Sequence, residues 1–470
     1  MIFQGTPVAL MGMVLSTLGA PPARAVAMAA SANSGAPATL AGTAGAPEAR
    51  GDGGEASEAA ALPAASFLKD PGALAAWLRD RNREVMAAAA RVQQAEAELR
   101  QSRLYPNPSL GSSLSDVTVG RTNPPGLGYG DTAIYGAALS ETIELGKRGP
   151  RIRSAEFRLQ SERQSYLDTL SQKVAEARSV LGRIAYLRAR QGVLEESLAG
   201  ARQILDLQQA RLENGDLSGS DYDRLLVDTM VLDSEVSRTR SELAESLSTC
   251  RAVLYAPCAP PSIEIAALPT SAEVPEAPDL EATLESRPDL RAIDLDRASA
   301  QQDAVLARRR RIPDPNLSVG YTHDNLTISG DQPNTLLFSV ALPLPVFDRG
   351  QHDARKAEEH ALELQETATG GRARARSEIE ALLERKGFLE STLGLLQDQA
   401  LPKSKAVLDA AVSAVSQGEV GMTELLLARR THIDLLLKVM DLQFDAFSVR
   451  NDLRRALGLD AKVAGAVLER

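Results

Sequence analysis

Two periodicities share this chain. In short stretches apolar residues return at every second position. Leu317, Val319 and Tyr321 alternate with Asn316, Ser318 and Gly320, and Leu336, Phe338, Val340 and Leu342 fall on one face. Ala133, Tyr135, Ala137 and Leu139 repeat the pattern about two hundred residues earlier. Period two marks strands with one apolar face. Polar loops rich in Gly, Asn, Asp and Pro separate the stretches. Two hairpins are therefore expected, with strands near 107–120 and 132–145, and near 315–329 and 334–347.

Elsewhere the period is seven. Leu167, Leu170, Val174, Ala177, Leu181 and Ile184 hold one heptad register, which shifts to Leu194, Leu198, Ala201, Leu205 and Leu212. Leu426, Ile433, Leu437, Met440, Phe444 and Phe447 carry another near the end. Sustained heptads predict helices packed side by side, and the shift is a stutter that changes the local supercoil. No proline interrupts Arg151 to Asn214, a run of roughly 95 Å at ~1.5 Å per residue. Long helices are expected near 150–214, 219–254, 350–416 and 421–457.

The two hairpins and the helices that follow them form one plan stated twice. Tyr105-Pro106-Asn107-Pro108-Ser109 ends a first helix, and Ile312-Pro313-Asp314-Pro315-Asn316 ends its counterpart. Each P-x-P stops a helix and commits the chain to extended structure. Asn214-Gly215-Asp216-Leu217 corresponds to Gln417-Gly418-Glu419-Val420, and the offset stays near roughly 203–207 residues. The copies run over 67–262 and 279–460, with a linker at 263–278 and a tail at 461–470. The expected fold is mainly α: a long coiled-coil part plus four strands per chain. Four strands cannot close a barrel in a membrane, where free edges are not tolerated. Three copies would supply about twelve strands, wide enough for a lumen.

Composition narrows the function classes. Residues 8–20 form an apolar run before Ala23-Arg24-Ala25, which reads as an export signal over 1–25, although no Lys or Arg precedes it. Residues 26–66, rich in Ala, Gly, Ser and Pro, are expected to be disordered. No later apolar run is long enough for a membrane helix. The net charge of -10 argues against nucleic acid as a partner and suits a path for cations or simple solubility. Cys250 and Cys258 either close a short disulfide around Tyr255-Ala256-Pro257 or stand as two thiols at a helix end; export favours the bridge. No cysteine follows the signal closely, so no lipid anchor is expected there.

The plan of helix, hairpin, long helix, turn and helix, stated twice over about residues 67–460, resembles the TolC family of outer-membrane efflux channels. Glu141-Thr142-Ile143-Glu144-Leu145-Gly146-Lys147-Arg148-Gly149 and Leu342-Pro343-Leu344-Pro345-Val346-Phe347-Asp348-Arg349-Gly350 look like its heavy-metal cation branch, as do Arg287-Pro288-Asp289-Leu290 and Ile312-Pro313-Asp314-Pro315. The resemblance implies a homotrimer in outer-membrane lipid, a passive conduit fed by an inner-membrane RND pump through a periplasmic adaptor, and helix tips that open as an iris. A duct for drugs or secreted proteins shares this plan. A structural coiled-coil envelope protein would explain the heptads but not the hairpins.

The helix–helix turns would then be the periplasmic tips. Asp216, Asp221, Asp223, Glu419 and Glu424 are candidates for an acidic aperture ring, and rings of carboxylates favour cations. The plainer reading is helix capping. Gly215, Leu217, Ser220, Gly418, Val420 and Thr423 are candidates for the tip turn and for docking the adaptor. Leu225, Leu226, Leu425 and Leu426 flank them and are expected to pack between helices. His323, His352, His360 and His432 have no partner at a metal-ligand spacing. No phosphate loop, HExxH or nucleophile elbow occurs, so neither an enzyme nor a cofactor is expected. Arg308-Arg309-Arg310-Arg311 closes a helix before a strand, where positive charge suits the helix dipole and a barrel rim.

Overall fold

The structure, a computed structural model, describes residues 64–122, 125–259, 274–275, 278–326, 332–417 and 419–468. The expected signal at 1–25, most of the 26–66 segment, most of the linker and Gly418 lie outside the described residues.

Three helices open the described chain: α1 (Ala64–Lys69), α2 (Pro71–Arg81) and α3 (Arg83–Ser102). Asp70 caps α2 by accepting from the Gly72 and Ala73 amides, and Pro71 sits at its first turn, where its missing N–H costs nothing. Asn82 caps α3 in the same way. The first hairpin holds β1 (Ser109–Ser115), a short α4 (Tyr129–Thr132) and β2 (Ile134–Thr142). Then α5 (Arg148–Glu213) runs 66 residues unbroken, about 100 Å. It turns into α6 (Gly219–Leu254).

The second copy repeats this order: α7 (Leu280–Ser286), α8 (Pro288–Arg309), β3 (Asn316–Asp324), β4 (Asn334–Ala341) and α9 (Gln351–Leu395). Here the long helix departs from the expected 350–416 run. A π turn at Leu396–Ala400 interrupts it before α10 (Leu401–Ser416). Pro402 has no N–H to continue the α pattern, so the register loosens just before it. The chain ends in α11 (Met422–Ala456) and α12 (Leu459–Leu468), a packed helix over most of the expected tail.

All four strands are shorter than expected and form one antiparallel sheet in the order β1-β2-β3-β4. The register sets Leu110 opposite Leu139, Leu139 opposite Val319, and Val319 opposite Phe338. This row and its neighbours Tyr135, Tyr321, Leu336 and Val340 make an exposed apolar face. The opposite face carries Ser113, Gly136, Ala138, Ser140, Ser318, Gly320 and Thr322, which are small or polar, with Leu337 opposite Gly320 and Asp324 at the end of β3 among its exceptions.

The helical core lies around the middle of α5. Leu170, Val174, Ala177, Leu181 and Ile184, the expected heptad seam, are buried against α2, α6 and α11. Trp77 donates to the Leu254 carbonyl (3.1 Å) and Asn82 to the Val253 carbonyl (3.0 Å), so the last turn of α6 is held by the N-terminal helices. The same turn carries the Cys250–Cys258 disulfide, with the Cα atoms 6.1 Å apart. Of the two readings of these cysteines, the bridge is the one observed.

Candidate functional site

The first tip turn is built by the backbone. Gly215 adopts a left-handed φ of +82°, which glycine reaches without strain. Its amide donates to the Leu212 carbonyl (3.0 Å) and the Asp216 amide to the Arg211 carbonyl (2.9 Å). This double bond pattern is a Schellman closure of α5. In the second copy the Glu419 amide bonds the Ala414 carbonyl (2.9 Å), matching the Asp216 bond.

Ser218, to which the sequence assigned no role, caps the start of α6. Its hydroxyl accepts from the Asp221 amide (3.2 Å) and donates to the Asp221 carboxylate (2.7 Å). Its Ser-x-x-Asp spacing resembles the Ser-x-x-Glu capping box and is the signal that could have found it. Ser220 joins this cluster through its own hydroxyl, 2.9 Å from that of Ser218. The cap is thus the Ser218 hydroxyl, and the Asp221 carboxylate supports it by accepting from that hydroxyl. Glu424 lies in the first turn of α11, where a carboxylate suits the helix dipole.

Asp216, Asp221, Asp223, Glu419 and Glu424 are all exposed, and none forms an ion pair with a described residue. No hydrogen bond joins the acidic groups of one turn to those of the other among the described residues. Thr423 is exposed and Leu217 and Val420 are half-buried. Leu225 is buried, as expected for packing, whereas Leu226, Leu425 and Leu426 are half-buried.

The two helix pairs are tied together by a ladder between α11 and α5. The Asn451 amide donates to the Ala175 carbonyl (2.9 Å). Phe447 covers Gly182, and Phe444 stacks on Tyr186 with centroids 4.8 Å apart. Asp441 accepts from the Tyr186 hydroxyl (2.6 Å) and from Arg190 (2.9 Å). Burial, then the bond to Asp441, pushes the Tyr186 hydroxyl up to about 12. Leu437 packs on Leu194 and Leu198. The last rung is Arg429, which donates to the Ser197 carbonyl (2.9 Å) across Gly200. Burial alone pulls its guanidinium below the usual range.

A second constellation lies where helices meet sheet. Asp314 accepts from the Leu145 amide (2.9 Å) and pairs with Lys147 (2.6 Å). Glu144 pairs with Arg151, which also holds the Ser102 and Leu104 carbonyls. The Arg148 guanidinium lies 4.3 Å from the centre of the Tyr105 ring. Two segments picked out in the sequence, Glu141–Gly149 and Ile312–Pro315, thus clasp each other. Arg287, from a third, pairs with Asp289 (2.8 Å) and donates to the Ala456 carbonyl at the end of α11 (3.2 Å). Nearby, burial and then the Asp289 charge raise the Asp168 carboxyl to about 6, against the opposing Arg287 and Arg455.

His323 bonds Asn334, His360 approaches Glu363, His432 bonds Ser404 and His352 is exposed. Among the described residues no group of three or more His, Cys, Asp or Glu is placed to hold a metal. No described helix is long and apolar enough to cross a membrane.

Comparisons with known proteins agree with the geometry. The model of the family described as outer membrane efflux protein matches residues 75–224 and 280–459, one stretch in each copy. The cobalt-zinc-cadmium resistance protein CzcC of Cupriavidus metallidurans is 24% identical over 80% of this chain and 87% of its own length. The CmeC outer membrane channel of Campylobacter jejuni superposes with a TM-score of 0.71 at 15% identity, over 83% of this chain and 85% of that one. VceC, an outer membrane protein of Vibrio cholerae, gives 0.68 at 18% identity, over 84% and 96%.

Proposed function

The chain belongs to the outer membrane efflux protein family, and from that premise we propose that it is the homotrimeric duct of a tripartite pump, passing heavy-metal cations passively out of the cell. An inner-membrane RND pump and a periplasmic adaptor feed it. The observation that carries this reading is the four-stranded sheet with one apolar face and one small, polar face, joined to a helix of 66 residues. An apolar outer face suits lipid, and a small inner face leaves room for a lumen. The two strand edges that no described residue of the chain covers call for further copies of it.

Among the described residues the inner face of the sheet carries a single carboxylate, Asp324 at the end of β3, and is otherwise uncharged. The five exposed carboxylates at the tips supply the preference for cations, three times over in a trimer, beside the narrowest passage. Likeness to CzcC favours metal cations over drugs or secreted proteins as cargo. Gly215, Leu217 and Ser220 of one copy, and Gly418, Val420 and Thr423 of the other, are the residues we assign to meeting the adaptor. No catalytic step is required of any of them.

The test has two arms. A deletion strain is grown on zinc, cobalt, cadmium, nickel, copper and silver, with drugs alongside; sensitivity to metals is expected, and sensitivity to drugs alone overturns the cargo. In a planar bilayer the wild type is expected to prefer cations. Neutralising Asp216, Asp221, Asp223, Glu419 and Glu424 lowers that preference; an unchanged preference removes them from the mechanism.

A further inference from the structure

A chain that is acidic overall becomes basic just below its sheet. Arg308-Arg309-Arg310-Arg311 closes α8, and Arg349 stands one residue before the Gly350 cap of α9. Gly350, at φ +74°, lies so close to the Ala307 carbonyl that a side chain would overlap it. That contact brings the two basic stretches together. Arg308 and Arg310 are neutralised by Glu358 and Asp353 on α9, and Arg309 donates to the Gly146 carbonyl (3.0 Å). Arg311 and Arg349 are exposed and form no ion pair with any described residue.

The neighbouring surface is apolar. The outer stripe of β4, Leu336, Phe338 and Val340, continues past the strand through Leu342 and Leu344. Pro343 and Pro345 disfavour helix in the residues before them and keep the stripe extended as far as Leu344, where the chain turns as the Val346 amide donates to the Leu344 carbonyl (2.8 Å). The apolar surface ends at Phe347, 91% exposed and two residues before Arg349. Aromatic side chains collect where hydrocarbon gives way to headgroups. Arg311 and Arg349 therefore stand at headgroup depth, on the side of the sheet from which the helices leave. In an outer-membrane channel that side is the periplasmic leaflet. Exposed cations without carboxylate partners at such a boundary attract net negative lipid.

We propose that Arg311 and Arg349 bind the phosphate headgroups of anionic phospholipids in the periplasmic leaflet. The proposal rests on the outer-membrane reading above and adds a lipid partner to it. The charge complementarity is local, and the binding surface is continuous with the lipid-facing side of the sheet.

The full chain, reconstituted in nanodiscs of phosphatidylethanolamine containing a minority of phosphatidylglycerol, is released and its retained lipids are counted by native mass spectrometry. The wild type is expected to hold phosphatidylglycerol well above its bulk share. Arg311→Gln and Arg349→Gln each lower that enrichment about fivefold, added salt lowers it further, and the Arg311→Lys/Arg349→Lys protein keeps it. Equal enrichment in the double glutamine variant overturns the proposal. So does a wild type without enrichment, or one that instead retains added lipid A, the phosphate-bearing lipid of the other leaflet. Planar-bilayer conductance separates the two levels. A conducting double variant with unchanged enrichment rejects the lipid contact and leaves the channel standing, whereas a wild type that does not conduct rejects the channel.

Discussion

The Lys147 ammonium lies 2.6 Å from the Asp314 carboxylate, joining the entry of α5 to the residue pair that leads into β3. Asp314 also holds the Leu145 amide, so one carboxylate fixes the first copy to the second at the base of the sheet. Asp314→Asn keeps an acceptor but loses the charge, and is expected to cost about 1.5–3 kcal/mol. Lys147→Met is expected to cost less, because the Leu145 amide stays bound. Thermal melting of both single variants and the double variant checks the coupling; simple additivity would show that the pair is incidental.

Gly182 on α5 faces Phe447 on α11 so closely that a methyl group there overlaps the ring. Gly182→Ala is expected to destabilise by about 1–3 kcal/mol through overpacking. Phe447→Ala removes the ring instead and costs about 3–5 kcal/mol. The Gly182→Ala/Phe447→Leu protein should recover part of the loss, read as the midpoint of denaturant unfolding. Without recovery, the contact is not what sets the helix spacing.

The Cys250–Cys258 bridge closes a short loop at the end of α6, where Trp77 and Asn82 also hold the chain. By the loop-closure relation, the bridge is worth about 2–3 kcal/mol. Reductant should lower the melting temperature of the wild type and leave the Cys250→Ser/Cys258→Ser protein unmoved. A wild type indifferent to reductant contradicts this.

Asp168 makes stability depend on pH. Its carboxyl is raised to about 6 by burial, so the folded state holds its proton more tightly than the unfolded chain does. Stability from this site is therefore full below about pH 4 and is lost as pH rises through about 6. Gln172, which donates to the carboxylate (2.7 Å), softens the effect. Asp168→Asn should melt higher than the wild type at pH 7 and equally at pH 4. A gap that stays constant across that range points to packing instead.

Local signals carried much of this fold. Alternation at Leu317–Tyr321 and Leu336–Val340 identified the strand faces, and the glycine and acidic residue after each long helix marked the turns. These patterns repeat within a few residues, so one chain displays them directly. The α11–α5 ladder was not legible. Asp441 meets Tyr186 across 255 residues, and nothing local to either says so. Leu194, Leu198 and Leu437 were read as heptad positions, but a heptad does not name its partner helix. The π turn at Leu396–Ala400 was missed because heptad-compatible composition continues through it, although Pro402 was a cue. At the tips, the five carboxylates stand out in the sequence by charge and position, whereas the Ser218 cap is uncharged and shows only through its Ser-x-x-Asp spacing.

The sheet of each chain ends in two edges, β1 and β4, that have no strand beside them among the described residues. If these edges pair with further copies, as the proposed trimer requires, maturation becomes a meeting between molecules, and its rate rises with how many are present at once. Under that proposal a single copy carries its edges bare until it finds others, and during that interval it is exposed to proteases and to wrong pairing. The abundance of such a duct in the envelope is then set by how often its chains encounter one another as well as by how many are made.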